Sequence, residues 1–139
     1  MKWASARQVE AAFYAAFERA DLEAMMALWA QDEAVFCVHP GGGRLSGAAA
    51  VREAWRSIFS EGPALRFELT ELHTFTLPTV AVHTLYERII VRGESGPPYL
   101  VMATNIYLLT AEGWRVLGHH ASPLPRTPLV GDMRTSSLH

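Results

Sequence analysis

From residue 65 to residue 121 the chain offers four β-prone runs with very little between them. The runs are 65–77, 79–92, 99–110 and 114–121. Pro78, a turn from Gly93 to Pro98, and Ala111-Glu112-Gly113 separate them. Parallel strands need crossovers of about a dozen residues or more, so connections this short dictate antiparallel pairing. Long strands also twist, and a sheet built from them bends strongly. The rest of the chain must cover what that sheet leaves open.

Residues 5–19, SARQVEAAFYAAFER, place Val9, Phe13, Ala16, Phe17 and Ala20 at helical spacing, with Ser5 as N-cap. Asp21 can cap a second short helix, LEAMMALWA, with a broad apolar surface. AVFCVH at 34–39 is a short strand, stopped by Pro40 and Gly41-Gly42-Gly43. SGAAAVREAWRSIFSEG predicts a third helix, capped by Ser46 and stopped by Gly62-Pro63. Val51, Trp55, Ile58 and Phe59 should be buried on it, and Arg52, Glu53 and Arg56 solvated. Helices followed by strands give an α+β fold: three N-terminal helices packed in the concave face of a strongly bent antiparallel sheet. Three helices cannot cover both sheet faces. Met102, Ile106 and Leu108 share one parity, opposite to Val101, Ala103, Asn105, Tyr107 and Leu109, so the second face is apolar too. A homodimer through that convex face is the simplest cover.

A chain of 139 residues is one domain's worth. The expected division is a single domain over 1–123 and an extended or disordered tail over 124–139, where prolines cannot continue a central strand. A net charge of −2 leaves no general basic footprint for nucleic acid. The single cysteine, Cys37, excludes an intramolecular disulfide and any multi-cysteine metal site. Apolar runs fall short of the roughly 20 residues of a membrane span, and the charged first 20 residues are unlike a signal peptide. The expectation is a cytoplasmic protein with no membrane and no nucleic-acid partner.

Three strings, FYAAFERADLEAMMALWAQDEAVF, CVHPGGGRLSGAAAVREAW and ATNIYLLTAEGWRVLGHHASP, resemble the SnoaL-like branch of the nuclear transport factor 2-like superfamily. With the strands between them they span roughly residues 9–123. The resemblance implies a bent antiparallel sheet wrapped round helices into a cystatin-like cone, with a pocket at the open end and dimers through the convex face. That superfamily hosts ketosteroid isomerases, polyketide cyclases, epoxide hydrolases, dehydratases and kinase association domains, so fold alone does not name the reaction. Isomerase sites of this kind need a carboxylate base, a tyrosine donor and a protonated aspartate. Laid on that pattern, the base position falls on His39, the tyrosine position on Phe13 and the acid position on Asn105. One helical step is about 100°, so Tyr14, next to Phe13, should face elsewhere.

His39 is the sharpest candidate, an imidazole at a strand end beside a glycine-rich loop, able to accept or donate a proton near neutrality. A structural histidine bonded to loop backbone is the plainer alternative. His119 and His120 are consecutive on a strand and point to opposite faces. The resemblance places His120 inward with Gly118 and Ser122. Asn105 lies in mid-strand, where a buried amide must find partners, either a ligand carbonyl or a structural bond. Trp29, Trp55, Phe13 and Tyr107 are candidate pocket walls, against the alternative that they are simply core. His83 and Glu87 share a face of one strand. Glu87 could, if buried, orient a histidine; the other expectation is a pair with Arg88, Arg92 or Arg115 on a solvated or dimeric surface. No cofactor motif is present and no metal site is expected, since no HxH or HExxH pair occurs. The functional expectation is a small-molecule-binding domain of unassigned activity. It could carry out proton transfer on a small carbonyl-containing or cyclic substrate, with His39 as base, Asn105 as donor, His120 as acid and Ser122 in contact. The rival is a non-catalytic ligand-binding or dimeric assembly domain with a vestigial pocket.

Overall fold

A computed structural model describes residues 3–125. Helices α1 (Ala6–Arg19) and α2 (Leu22–Met26) come first. The short strands β1 (Phe36–Val38) and β2 (Leu45–Ser46) precede helix α3 (Ala48–Glu61). Then come β3 (Leu65–Thr76), β4 (Val80–Val91), β5 (Tyr99–Thr110) and β6 (Gly113–Pro123). Of the expected tail, residues 126–139 lie outside the described residues.

Local chemistry sets the helix ends. Ser5 Oγ accepts from the Gln8 amide at 3.2 Å, and Asp21 Oδ1 accepts from the Ala24 amide at 3.0 Å. Both satisfy donors that a helix start leaves free. The third helix begins one residue later than the Ser46 cap would have it. Gly47, at φ 88°, is its N-cap and offers no side chain. Ser46 instead ends β2, a two-residue strand that sequence reading left unassigned. Gly62 closes α3 as expected.

The six strands form one curved sheet in the order β2-β1-β6-β5-β4-β3. Expecting an antiparallel sheet was right for the long strands and wrong at one seam, because β1 pairs with β6 in parallel. The seventy-odd intervening residues, including α3, make that crossover possible. Two irregularities bend the long strands. One lies in β3 between Thr70 and His73, where Glu71 takes φ 53°. The other lies in β6. There Ile106 pairs with Gly118 while the next residue, Tyr107, pairs with Val116, so Leu117 is extra.

The core joins α1, α3 and one sheet face. Val9, Phe13 and Ala16 of α1 and Val51 and Trp55 of α3 meet Ala81, Leu85, Ala103, Tyr107 and Val116 of the sheet. On the opposite face Leu100, Met102, Ile106 and Leu108 are only half-buried. Among the described residues no helix is long and apolar enough to cross a membrane.

Candidate functional site

Strand register assembles an unusual row. Thr74 pairs with His83, His83 with Asn105, Asn105 with His119, and His119 with Cys37. Five strands thus contribute one polar position each at the same level of the sheet. His83, Asn105 and His119 are each 1% exposed, so their polar atoms need partners inside the protein.

Those partners come from α1 and from one turn further along β4 and β5. Glu10 Oε2 accepts from His83 Nδ1 at 2.9 Å, from Tyr107 Oη at 2.7 Å and from Asn105 Nδ2 at 3.5 Å. Asn105 Nδ2 also donates to Tyr14 Oη at 3.1 Å, and Tyr14 Oη donates to Glu87 Oε2 at 2.6 Å. On the other side of the amide, His119 Nδ1 donates to Asn105 Oδ1 at 2.6 Å. These bonds run in one direction, from His119 through Asn105 and Tyr14 to Glu87. The amide that donates toward the carboxylates must present its oxygen to His119, which fixes the His119 proton on Nδ1.

The two carboxylates are tuned apart. Burial alone would push Glu10 up, but the hydrogen bonds from His83 and Tyr107 overcome it and hold Glu10 below its ordinary value. Glu87 is 2% exposed and has one hydroxyl donor, so burial pushes its carboxyl up to about 7. Burial lowers His119 to about 3, with the neighbouring His39 and His120 adding to it. Burial lowers His39 to about 4. Both imidazoles are therefore neutral at pH 7. Burial raises the Cys37 thiol to about 12, so it stays protonated, with Sγ 3.1 Å from His39 Nε2.

Aromatic rings wall this row. The His39 ring meets Trp55 edge-to-face at 4.7 Å and lies 6.0 Å from His119. Phe13 packs 5.0 Å from His119 and 5.5 Å from Trp55. Trp55 Nε1 is buried and has no hydrogen-bond partner among the described residues.

The structure thus brings together His39, Asn105, Phe13, Trp55 and Tyr107. It separates three other candidates from them. His120 is exposed on the other sheet face and Ser122 is exposed beside it, while His119 points inward. The extra residue Leu117 causes this reversal, because a bulge inverts the alternation of everything beyond it. Trp29 is buried away from His39. It lines a cleft of about 480 Å³ with Gln31, Thr110 and Arg115, and its backbone bridges Val116. Two further expectations are corrected. Tyr14 does not face elsewhere: the sheet curls far enough round α1 to bury both Phe13 and Tyr14. Glu87 does not pair with an arginine on a surface; Arg88 pairs with Glu68 instead.

Glu10 went unnoticed in the sequence. A signal existed, because Glu10 sits inside the apolar stripe between Val9 and Phe13, four residues before Tyr14. A carboxylate and a phenol at that spacing share a helix face.

The SnoaL-like domain family model matches residues 6–126. A solved structure from Thiobacillus denitrificans is 37% identical, covering 90% of this chain and 99% of that one with a TM-score of 0.84. It is provisionally described as a calcium/calmodulin-dependent protein kinase type II association domain. A second, from Streptomyces avermitilis, is provisionally described as a dehydratase of the nuclear transport factor 2-like family. It is 35% identical over 84% of this chain and 91% of that one, with a TM-score of 0.77. Among curated proteins, the F-box protein SKIP8 of Arabidopsis thaliana is 27% identical over 114 residues, 82% of this chain and 47% of SKIP8. The chain thus spans about half the length of that curated relative. Cystatin-like and ketosteroid isomerase-like structures at 14–18% identity share the fold alone. On the matched span and the shared cone, this chain belongs to the SnoaL-like domain family of the nuclear transport factor 2-like superfamily.

Proposed function

We propose that the domain binds a small, uncharged carbonyl-containing or cyclic molecule beside the His39–Trp55–His119 rings and transfers a proton on it, with Glu87 as the base. The buried, single-donor carboxylate of Glu87 carries this reading: it takes the proton directly from the ligand, while the His119–Asn105–Tyr14 hydrogen bonds, whose amide link cannot pass a proton, hold it in position. A carboxyl near 7 is matched to proton abstraction at neutral pH. Glu10 is already ionised and saturated with donors, so it serves to orient. The unpartnered Trp55 Nε1 is a donor suited to a ligand oxygen. With both imidazoles neutral and two carboxylates behind them, the enclosure disfavours anions. His39, half-buried at the end of β1, is the contact group nearest solvent. Asn105 has its amide hydrogens engaged by Tyr14 and Glu10, so it is a positioning residue.

Hydrogen–deuterium exchange α to a carbonyl tests this without knowledge of the product. The wild-type protein in D2O should accelerate exchange into members of a panel of small cyclic ketones. Glu87→Gln should abolish the acceleration and His39→Ala should reduce it, with folding intact in both. No acceleration for any member, with no ligand-induced shift of the His119 ring, would reject the catalytic reading.

A second reading is a non-catalytic assembly domain, and one observation favours it. Trp55 and Tyr107 are 0% exposed and fill the space a ligand would need. Under either reading we infer a cytoplasmic homodimer through the convex face, where a second copy would cover Leu100, Met102, Ile106 and Leu108. Sedimentation of the wild type against Met102→Glu tests it, and two monomeric species would refute it.

A further inference from the structure

The polar row has a second end, which the interior reading does not use. At its β3 side a cleft of about 300 Å³ is bounded by Ser5, Arg7, Thr74, Thr76, His83 and Trp114. We propose that this cleft is a separate binding site for a small hydroxycarboxylic acid, its carboxylate on Arg7 and its hydroxyl hydrogen-bonded to His83 Nε2.

Three observations support it. First, His83 lines the cleft although its side chain is only 2% exposed, which places it at the cleft floor rather than on the rim. Its Nδ1 is bound to Glu10 at 2.9 Å, and Glu10 is kept ionised by Tyr107 as well. With Nδ1 engaged by Glu10, Nε2 is the ring nitrogen left to meet a ligand. Second, Arg7 is exposed and forms no ion pair among the described residues. The lining residues include this cation and no acid, and the ionised Glu10 stands behind the His83 ring on its Nδ1 side, so Arg7 is the place on this wall for a carboxylate. Third, the Thr74 and Thr76 positions add hydroxyls on one side and Trp114 an apolar wall on another, the mixture that small-ligand sites use. The volume suits a molecule of a few carbons.

The site stands independently of the interior proposal, and the two report on different histidines. Protein labelled with 15N at histidine and backbone would be titrated with lactate, with propionate, which lacks the hydroxyl, and with methyl lactate, which lacks the charge. Lactate should shift the His83 ring nitrogens and the Thr74 and Thr76 amides saturably, leaving His39 and His119 in place. Propionate and methyl lactate should each bind about fivefold more weakly or worse, the loss of roughly one hydrogen bond or one exposed ion pair. Arg7→Gln, at an exposed position that leaves the amide spectrum folded, should weaken lactate by a similar factor. Absence of a saturable His83 shift, shifts centred on His119 instead, equal binding of the three probes, or an unaffected Arg7→Gln would each overturn the assignment.

Discussion

Replacing Glu87 by Gln isolates the energetic consequence of a carboxyl sealed inside the cone. Gln keeps the shape and retains an oxygen to accept from Tyr14, whose hydroxyl lies 2.6 Å from Glu87 Oε2. It removes the ability to ionise. In the unfolded chain Glu87 titrates near its ordinary 4.5; in the folded protein it titrates near 7. Between those values the folded state holds a proton that the unfolded state has lost. Stability therefore falls as pH rises through this window and levels off above about 7. At about 1.4 kcal/mol per pH unit, the whole window is worth about 3 kcal/mol.

The wild type alone will not display this slope. His39 and His119 act in the opposite sense. Their folded values, about 4 and about 3, lie below the ordinary 6.5, so the unfolded chain binds their protons first and stability is lost as pH falls below 6.5. The difference between wild type and Glu87→Gln cancels both histidines. Urea denaturation at pH 5, 6, 7 and 8 should show the variant gaining on the wild type by about 3 kcal/mol from pH 5 to 8, nearly all of it below pH 7.5. A difference that stays flat across this range would mean that Glu87 titrates normally. A difference favouring the wild type at high pH would mean that the folded protein stabilises the ionised form, and the proposed base would be lost with it.

Tyr14→Phe removes the hydroxyl that lowers Glu87, so the midpoint read from the Glu87 carboxyl carbon by NMR should move further above 7. The variant should lose about 1–3 kcal/mol, more at pH 8 than at pH 6, because an ionised carboxylate suffers most from a missing donor. Equal losses at both pH values would contradict this hydrogen-bond chain. Gly118→Ala should destabilise by about 1–3 kcal/mol in thermal or urea unfolding, since a Cβ there would stand 2.2 Å from Phe36 Cε1. A change within about 0.5 kcal/mol would show that Phe36 can move aside.

What the sequence disclosed depended on how far each inference reached along the chain. Ser5, Asp21 and Gly62 mark helix ends through bonds within four residues, and all three act where expected. The four long strands were legible because period-two patterning and turn residues are local as well. The parity of β5 held through its middle, placing Val101, Ala103, Asn105 and Tyr107 inward, and ran out at Leu109, which shares their parity but is exposed beyond the core. The parallel β1–β6 seam was not legible, because it joins Cys37 to His119 and nothing near either residue announces the other. Glu87 was misread for a related reason. A carboxylate in a β-rich run is ordinarily solvated, and only the buried hydroxyl of Tyr14, on a helix 73 residues earlier, makes its burial tolerable.

The reversal of His119 and His120 shows most about the site. Alternation is reliable only while every residue has a partner, and one unpaired residue, Leu117, exchanges the two imidazoles between faces. The exchange alters the chemistry as well as the address. Without the bulge, counting on from the Tyr107–Val116 pair would set Gly118 opposite Asn105 and an inward His120 opposite Ala103, leaving no imidazole across from the amide. The inward His119 is opposite Asn105, gives its Nδ1 proton to the amide, and so holds the amide hydrogens toward Tyr14 and Glu10. Gly118 accommodates the bulge where Phe36 leaves no room for a side chain. The bulge, the glycine and the ring of Phe36 therefore form one device that sets the direction of every hydrogen bond from His119 to Glu87. Disturbing any of the three should disorder those bonds before it unfolds the cone.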